Sequence, residues 1–168
     1  STPSISLTFS LILHGLQNLQ KLPLMIGVSV CEAIKEFDFE LKLKWPNDII
    51  LDDKKIGGIL CESKNINNVK TIVVGIGMNI NEKVDDFPDN LRKKAISLSM
   101  VANKTFQRER VLANILNHIE KNLDLLKEKN LELFKKWESF CNHINKEVTF
   151  HNNDINVKGK FLNISNEG

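Results

Sequence analysis

The chain has 168 residues, 42% of them hydrophobic and 26% charged, with a formal net charge of +2. That balance excludes a disordered or fibrous chain, allows one full domain with little over, and, with lysines interleaved among acids, speaks against a nucleic-acid surface. No run approaches the ~20 apolar residues of a membrane span, the start lacks the order of a signal peptide, and Cys31, Cys61 and Cys141 are too scattered for a zinc or disulfide framework, so a soluble cytoplasmic protein with reduced thiols is expected.

Residues 7–13 are dense in apolar and β-favouring side chains and read as a buried strand or the start of a helix. A Gln- and Asn-bearing turn region follows over 14–21. Pro23 suits the first turn of a helix, where its missing N–H does no harm, and Met25, Ile26, Ser29, Val30, Ala33, Ile34 and Phe37 then recur at helical spacing. From Phe39 to Lys44 apolar and charged residues alternate strictly, as in a strand with one wet face, until Pro46 ends regular pairing. Residues 49–51 and 56–62 flank Asp52-Asp53-Lys54 and read as a hairpin, and the β-branched run 69–76 as a central strand.

Beyond Asn81 the stretch EKVDDFPDN reads as a surface loop. Thr105 is placed to cap a long helix whose apolar face carries Val111, Leu112, Ile115, Leu116, Ile119, Leu123 and Leu126, and a second helix carries Leu133, Trp137 and Phe140. Short strands return from Glu147, VTF and INVKGKFLNI, separated by 151–154, as a hairpin opening a small second β domain. There is no internal repeat, and both ends read as cuts through a longer protein.

Two stretches carry candidate chemistry. In the first, Asp48 follows the proline turn and Lys55 opens the next strand, so a hairpin over 49–54 returns both side chains to one sheet edge. A lysine there suits an anionic phosphate or carboxylate, and Gly57 and Gly58 let a ligand lie against the backbone. Spacing alone leaves a second reading open: a surface hairpin with a Lys–Asp pair and a glycine bulge. In the second stretch, Gly75-Ile76-Gly77-Met78-Asn79-Ile80-Asn81, glycines expose backbone N–H groups and Asn79 offers a donor and an acceptor, suited to a purine, a phosphate or a metal-bound water. Ile80 stands where the dinucleotide fingerprint needs its third glycine. His14, His118, His143 and His151 lack metal-ligand spacing, His118 reads as a packed side chain, and Cys141-Asn142-His143 reads as structural.

Lys44-Trp45-Pro46-Asn47-Asp48, then Lys55-Ile56-Gly57-Gly58-Ile59-Leu60 with Glu62 close behind, then Gly75 to Asn81, resemble in order and separation the biotin protein ligases. The similarity runs over the whole chain: 24–34 looks like that family's central helix, Trp137-Glu138-Ser139-Phe140 like its late helix, and Glu147 onward like its C-terminal domain. The resemblance implies an α+β fold, a mixed and largely antiparallel sheet flanked by helices as in class II aminoacyl-tRNA synthetases, followed by the start of a small SH3-like β-barrel. Residues 1–143 would be the catalytic core lacking its N-terminal part, and 144–168 the incomplete second domain.

The same resemblance implies a ligase that joins biotin and ATP into biotinyl-5′-AMP with Mg²⁺. It would then pass biotin to one lysine of the biotin carboxyl carrier domain of acetyl-CoA or a related carboxylase, as a cytoplasmic homodimer without nucleic-acid or membrane partners in this segment. Carried over by position, Lys55 and Asp48 are catalytic; Lys55, Gly57, Gly58 and Leu60 face biotin; and Lys44, Trp45, Asn47, Gly75, Gly77 and Asn79 face the adenylate. No residue is assigned as a direct metal ligand, Asn79 reaching Mg²⁺ only through the nucleotide. The family's glycine- and arginine-rich loop, and the upstream Ser/Thr and Gln that read biotin's ureido ring, have no counterpart here. A lipoate ligase or transferase of the same superfamily, and a non-catalytic ligand-binding or dimer-forming scaffold, are the competing readings.

Overall fold

The structure, a computed structural model, describes residues 5–16, 19–66, 69–126, 131–152 and 155–165. The run left open between strand and helix at the start is a strand, β1 (Ser6–His14). Its alternating side chains face inward at Leu7 and outward at Ile12. The chain then enters α1 (Leu22–Lys35), with Pro23 in the first turn as the spacing predicts. Leu22, Met25, Ile26, Val28, Ala33 and Ile34 have no exposed surface, so α1 is the centre of the core rather than a half-wet surface helix.

Asp38, at φ 66°, turns the chain out of α1. Burial then alternates from Phe39 to Lys44 as expected, but only β2 (Lys42–Lys44) is paired. Its partner β3 (Asp48–Leu51) is four residues long and pairs with Lys42, Leu43 and Lys44. β4 (Lys54–Ile66) and β5 (Val69–Asn79) are the long strands, and the expected central run continues through Gly77 to Asn79. The five strands form one antiparallel sheet in the order β1-β5-β4-β3-β2. Isolated parallel bridges join Leu43 to Cys141 and Lys55 to Ala95 at its margin.

The expected surface loop over 82–90 contains one 3₁₀ turn, Val84–Asp86, and beyond it lies a short helix with too few residues for a periodicity, α2 (Leu98–Ala102), N-capped by Ser97 Oγ accepting from the Met100 N–H at 3.1 Å. Thr105 does not cap the long helix: α3 (Arg108–Asn122) starts three residues later, after Gln107. Asn81 explains the delay. Its Oδ1 accepts from the Phe106 N–H and its Nδ2 donates to the Phe106 carbonyl, both at 2.9 Å, which commits both backbone groups of Phe106 to Asn81 instead of to a helical turn. Leu123–Leu126 follows as a 3₁₀ turn rather than as a continuation of α3.

α4 (Glu132–Phe140) buries Leu133 and Trp137. α1, α3 and α4 pack together on one face of the sheet, and the opposite face is left open. Last come β6 (Glu147–Asn152) and β7 (Ile155–Lys160), a two-stranded antiparallel sheet that fits the start of an SH3-like domain. The expected second strand stops at Lys160, and 153–154 in the expected turn lie outside the described residues. Phe161 still donates its N–H to the Lys146 carbonyl at 3.0 Å, and its ring lies 4.3 Å from that of His143 and 6.4 Å from that of Trp137. Among the described residues no helix is long and apolar enough to cross a membrane.

Candidate active site

Two tight hairpins build the site. Trp45-Pro46-Asn47 connects the paired residues Lys44 and Asp48, with a cis Trp45–Pro46 peptide. Asp52 and Asp53 both adopt left-handed backbone, φ 48° and 59°, the conformation of a two-residue turn whose twist matches that of the strands it joins. Leu51 therefore pairs with Lys54 and Ile50 with Lys55, after which the register slips by one residue and Ile49 meets Gly57. The slip is a β-bulge at Ile56. It keeps Ile56 and Ile59 in the core and turns Gly58 to the open face.

On that face Asp48 lies opposite Gly58, Gly58 opposite Gly77 and Gly77 opposite Thr8. The Lys55 ammonium sits above this row, 2.5 Å from Asp48 Oδ1. The bulge and the ion pair of the second reading are both present, and they border a cleft of about 1030 Å³ lined also by Lys44, Gly57 and Asn79. Trp45, Asn47, Leu60 and Gly75 are not in the lining. Leu60 and Gly75 pair with each other one row further along the open face, Trp45 lies exposed at a hairpin tip, and Asn47 offers its carbonyl to the Ile59 N–H at 3.0 Å.

The far wall comes from the loop after β5. Phe87, Pro88, Leu91 and Ala95 give it an apolar surface, with Lys93 and Lys94 at its rim. Backbone bonds staple this wall to the lysine strand: the Lys55 N–H donates to the Lys94 carbonyl at 2.8 Å and the Ile96 N–H to the Lys55 carbonyl at 3.1 Å. Asn79 Nδ2 donates to the Ile96 carbonyl at 3.0 Å and fixes the same segment from the other side. Sequence reasoning missed the wall because the loop has no periodicity. The one available signal was Phe87, a large aromatic side chain in an otherwise polar stretch.

The thiols do not take part in this arrangement. Burial pushes Cys31 far above its ordinary range, Cys61 up to about 11, and Cys141 upward as well, so all three stay protonated. His143, beside Cys141, is shifted the other way, lowered first by burial and then by the charges of Lys44 and Lys146. Among the described residues no cluster of three or more His, Cys, Asp or Glu could hold a metal ion by itself.

The model of the biotin/lipoate A/B protein ligase family matches residues 1–79. Over 97% of its length the chain superposes, with a TM-score of 0.85 and 34% identity, on 72% of the biotin protein ligase from Aquifex aeolicus. The chain belongs to the biotin protein ligase family. A structure of the Aquifex ligase in complex with biotin and ATP matches at a TM-score of 0.82 and 34% identity, over 95% of this chain and 68% of that one. The bifunctional ligase/repressor BirA of Bacillus subtilis (strain 168) is 35% identical over 165 residues, 95% of this chain and 51% of that protein. The chain thus spans about half the length of the curated relatives it matches. The α+β fold expected from the motifs is accordingly the biotin protein ligase fold, with its sheet antiparallel throughout among the described strands.

Proposed function

We propose that the protein containing this chain activates biotin with ATP and transfers the biotinyl group to a lysine of a carboxylase's carrier domain. The observation that carries this reading is the Lys55 ammonium held 2.5 Å from Asp48 above a glycine-lined floor, in a cleft large enough for an acyl adenylate. In the first step an oxygen of the biotin carboxylate attacks the α-phosphorus of ATP, the bond to the bridging oxygen breaks, and pyrophosphate leaves. Two anions must approach, and Lys55 lowers that barrier as a fixed cation between them. Magnesium would accompany the nucleotide and neutralise its phosphate charge, and Asn79 is the residue that would face it through the nucleotide.

In the second step the acceptor's amine attacks the acyl carbon and AMP leaves. The amine gives up a proton, which Asp48 is placed to accept once the ligand competes for Lys55. The apolar wall of Phe87, Leu91 and Ala95 suits a flat base, while Gly58 and Gly77 let the acyl part lie on the strand backbone. Leu60, Gly75, Trp45 and Asn47 belong on this reading to the surround of the site. Residues 1–143 act as the catalytic core and 144–168 as the beginning of the SH3-like domain, in a cytoplasmic, homodimeric enzyme.

Pyrophosphate release from Mg-ATP with biotin or with lipoate as acid tests the reading. Release dependent on biotin supports it, release dependent on lipoate transfers the chain to the sister activity, and release with neither, from this chain and from the full protein alike, leaves a binding scaffold. Retention of Lys55, Asp48 and Asn79 together argues against the scaffold, which needs none of them.

A further inference from the structure

The far wall of the cleft is pinned at one end only. Residues 94–96 are tied to the sheet by the bonds to Lys55 and Asn79, but Phe87, the aromatic side chain of the wall, stands well before that anchor in the chain. Phe87 is only 8% exposed, yet among the described residues it is not part of the hydrophobic core. Its place in the wall therefore depends on how the loop itself is held.

Arg92 spans the gap. Its Nε donates to the Phe87 carbonyl at 3.1 Å, its Nη1 lies 3.0 Å from Asp89 Oδ1, and its Nη2 lies 3.9 Å from Asp85 Oδ1. The Arg92 N–H donates to the Pro88 carbonyl at 3.2 Å, so backbone and side chain grip the same turn. The Asp85 and Asp89 side chains are 92% and 90% exposed, and ion pairs that open to water add little to global stability. What the planar fork does is fix three points of one short loop at once, which the single ammonium of a lysine cannot do. A wall ordered in advance spares an incoming ligand the entropy of ordering it.

We propose that Arg92 is a positioning residue for the nucleotide: its three-point fork holds Phe87 in the wall of the cleft before a ligand enters, and it touches no reacting atom itself. The inference rests on the nucleotide-binding reading above and adds to it the side chain that makes the wall rigid. Arg92 is not in the lining of the cleft, whereas Phe87 is, so the effect of the guanidinium on a ligand passes through Phe87. Two residues that act through one contact are not additive, and removing Phe87 removes what Arg92 contributes.

Equilibrium binding of Mg-ATP and of AMP to the full protein, with melting temperatures beside it, tests this in the wild type, Arg92→Met, Arg92→Lys, Phe87→Ala and the double variant Arg92→Met/Phe87→Ala. Arg92→Met should weaken both nucleotides by the same factor, about tenfold, with the melting temperature nearly unchanged. Arg92→Lys, which keeps the charge without the fork, should lose nearly as much, and the double variant should bind no more weakly than Phe87→Ala alone. Losses that multiply in the double variant overturn the inference, as do wild-type affinity in Arg92→Met or Arg92→Lys and a loss confined to Mg-ATP, the mark of a cation that meets the outer phosphates directly. Should Phe87→Ala not fold, the two Arg92 variants still decide by the same outcomes. A wild type that binds neither nucleotide overturns the nucleotide reading itself, and the inference with it.

Discussion

Lys55 and Asp48 are seven residues apart in the chain, yet Nζ and Oδ1 lie 2.5 Å apart because the β3–β4 hairpin folds back through Asp52 and Asp53. The lysine side chain is 54% exposed and the aspartate 27%, so the pair is accessible and contributes little to folding, about 1 kcal/mol at most. The pair thus sits over the cleft while doing little for stability, and the proposed activity rests on it.

Lys55→Met should therefore leave the melting temperature nearly unchanged and slow formation of biotinyl-5′-AMP by about 10²–10³-fold, the loss typical of removing one electrostatic stabiliser. Asp48→Asn should keep adenylate formation and lose transfer to the acceptor lysine. Single-turnover assays that follow pyrophosphate and biotinylated acceptor separately check both, and equal loss of the two steps in Asp48→Asn would count against its role as a base.

The glycines separate structure from ligand contact. A Cβ at Gly57 would stand 2.5 Å from the Gly77 carbonyl oxygen, where two strand backbones leave no room. Gly57→Ala should destabilise the fold by about 1–3 kcal/mol. A Cβ at Gly77 would meet only Thr8 Oγ1, at 4.0 Å, and one at Gly58 would meet nothing closer than the Asn47 carbonyl at 3.5 Å. Gly58→Ala and Gly77→Ala should fold and instead weaken binding of the acyl adenylate, which denaturant titration beside calorimetry would separate.

Acid sensitivity should come from the helix layer. Burial raises the pKa of Glu32, but hydrogen bonds from Asn122 at 2.7 Å and Lys136 at 2.9 Å, with the charges of Lys136 and His118, outweigh it and hold the carboxyl below its ordinary value. The unfolded chain then binds the proton more readily. The stabilisation is complete above the ordinary Glu pKa of ~4.3 and is lost as pH falls through the depressed folded value. Lys136→Met should cost about 1 kcal/mol at neutral pH and shrink the difference between neutral and acid stability. Thermal melts of both proteins from pH 7 to pH 3 measure it, and parallel curves would remove Glu32 from the account.

The terminal hairpin is held by few contacts. Phe161 exchanges backbone bonds with Asn145 and Lys146 at 2.7 and 3.0 Å, and its ring packs on His143 and Trp137. Phe161→Ala should release β6 and β7 while the sheet and helices stay intact. Hydrogen exchange should then show protection lost over 147–160 and kept in β4 and β5.

Much of this was legible in the sequence where local pattern and tertiary contact agree. The hairpin spacing anticipates the Lys55–Asp48 pair, and α1 follows from Pro23 and its apolar repeat. The pattern failed where a distant partner decides. Asn81 claims both backbone groups of Phe106 and delays α3 past Thr105. The apolar wall was hidden for the same reason, Phe87 being its one local signal. The bridge between Lys55 and Ala95, forty positions apart, and the hydrogen bond from Asn79 to the Ile96 carbonyl carry that loop to the cleft.

The most direct test is a crystal structure of the chain with a non-hydrolysable biotinyl-adenylate analogue. The acyl–phosphate linkage is expected within hydrogen-bonding distance of Lys55 Nζ, with the biotinyl chain over Gly58 and Gly77 and the base against Phe87 and Ala95. An analogue bound elsewhere, or seated in the cleft with its linkage out of reach of Lys55, would contradict the account.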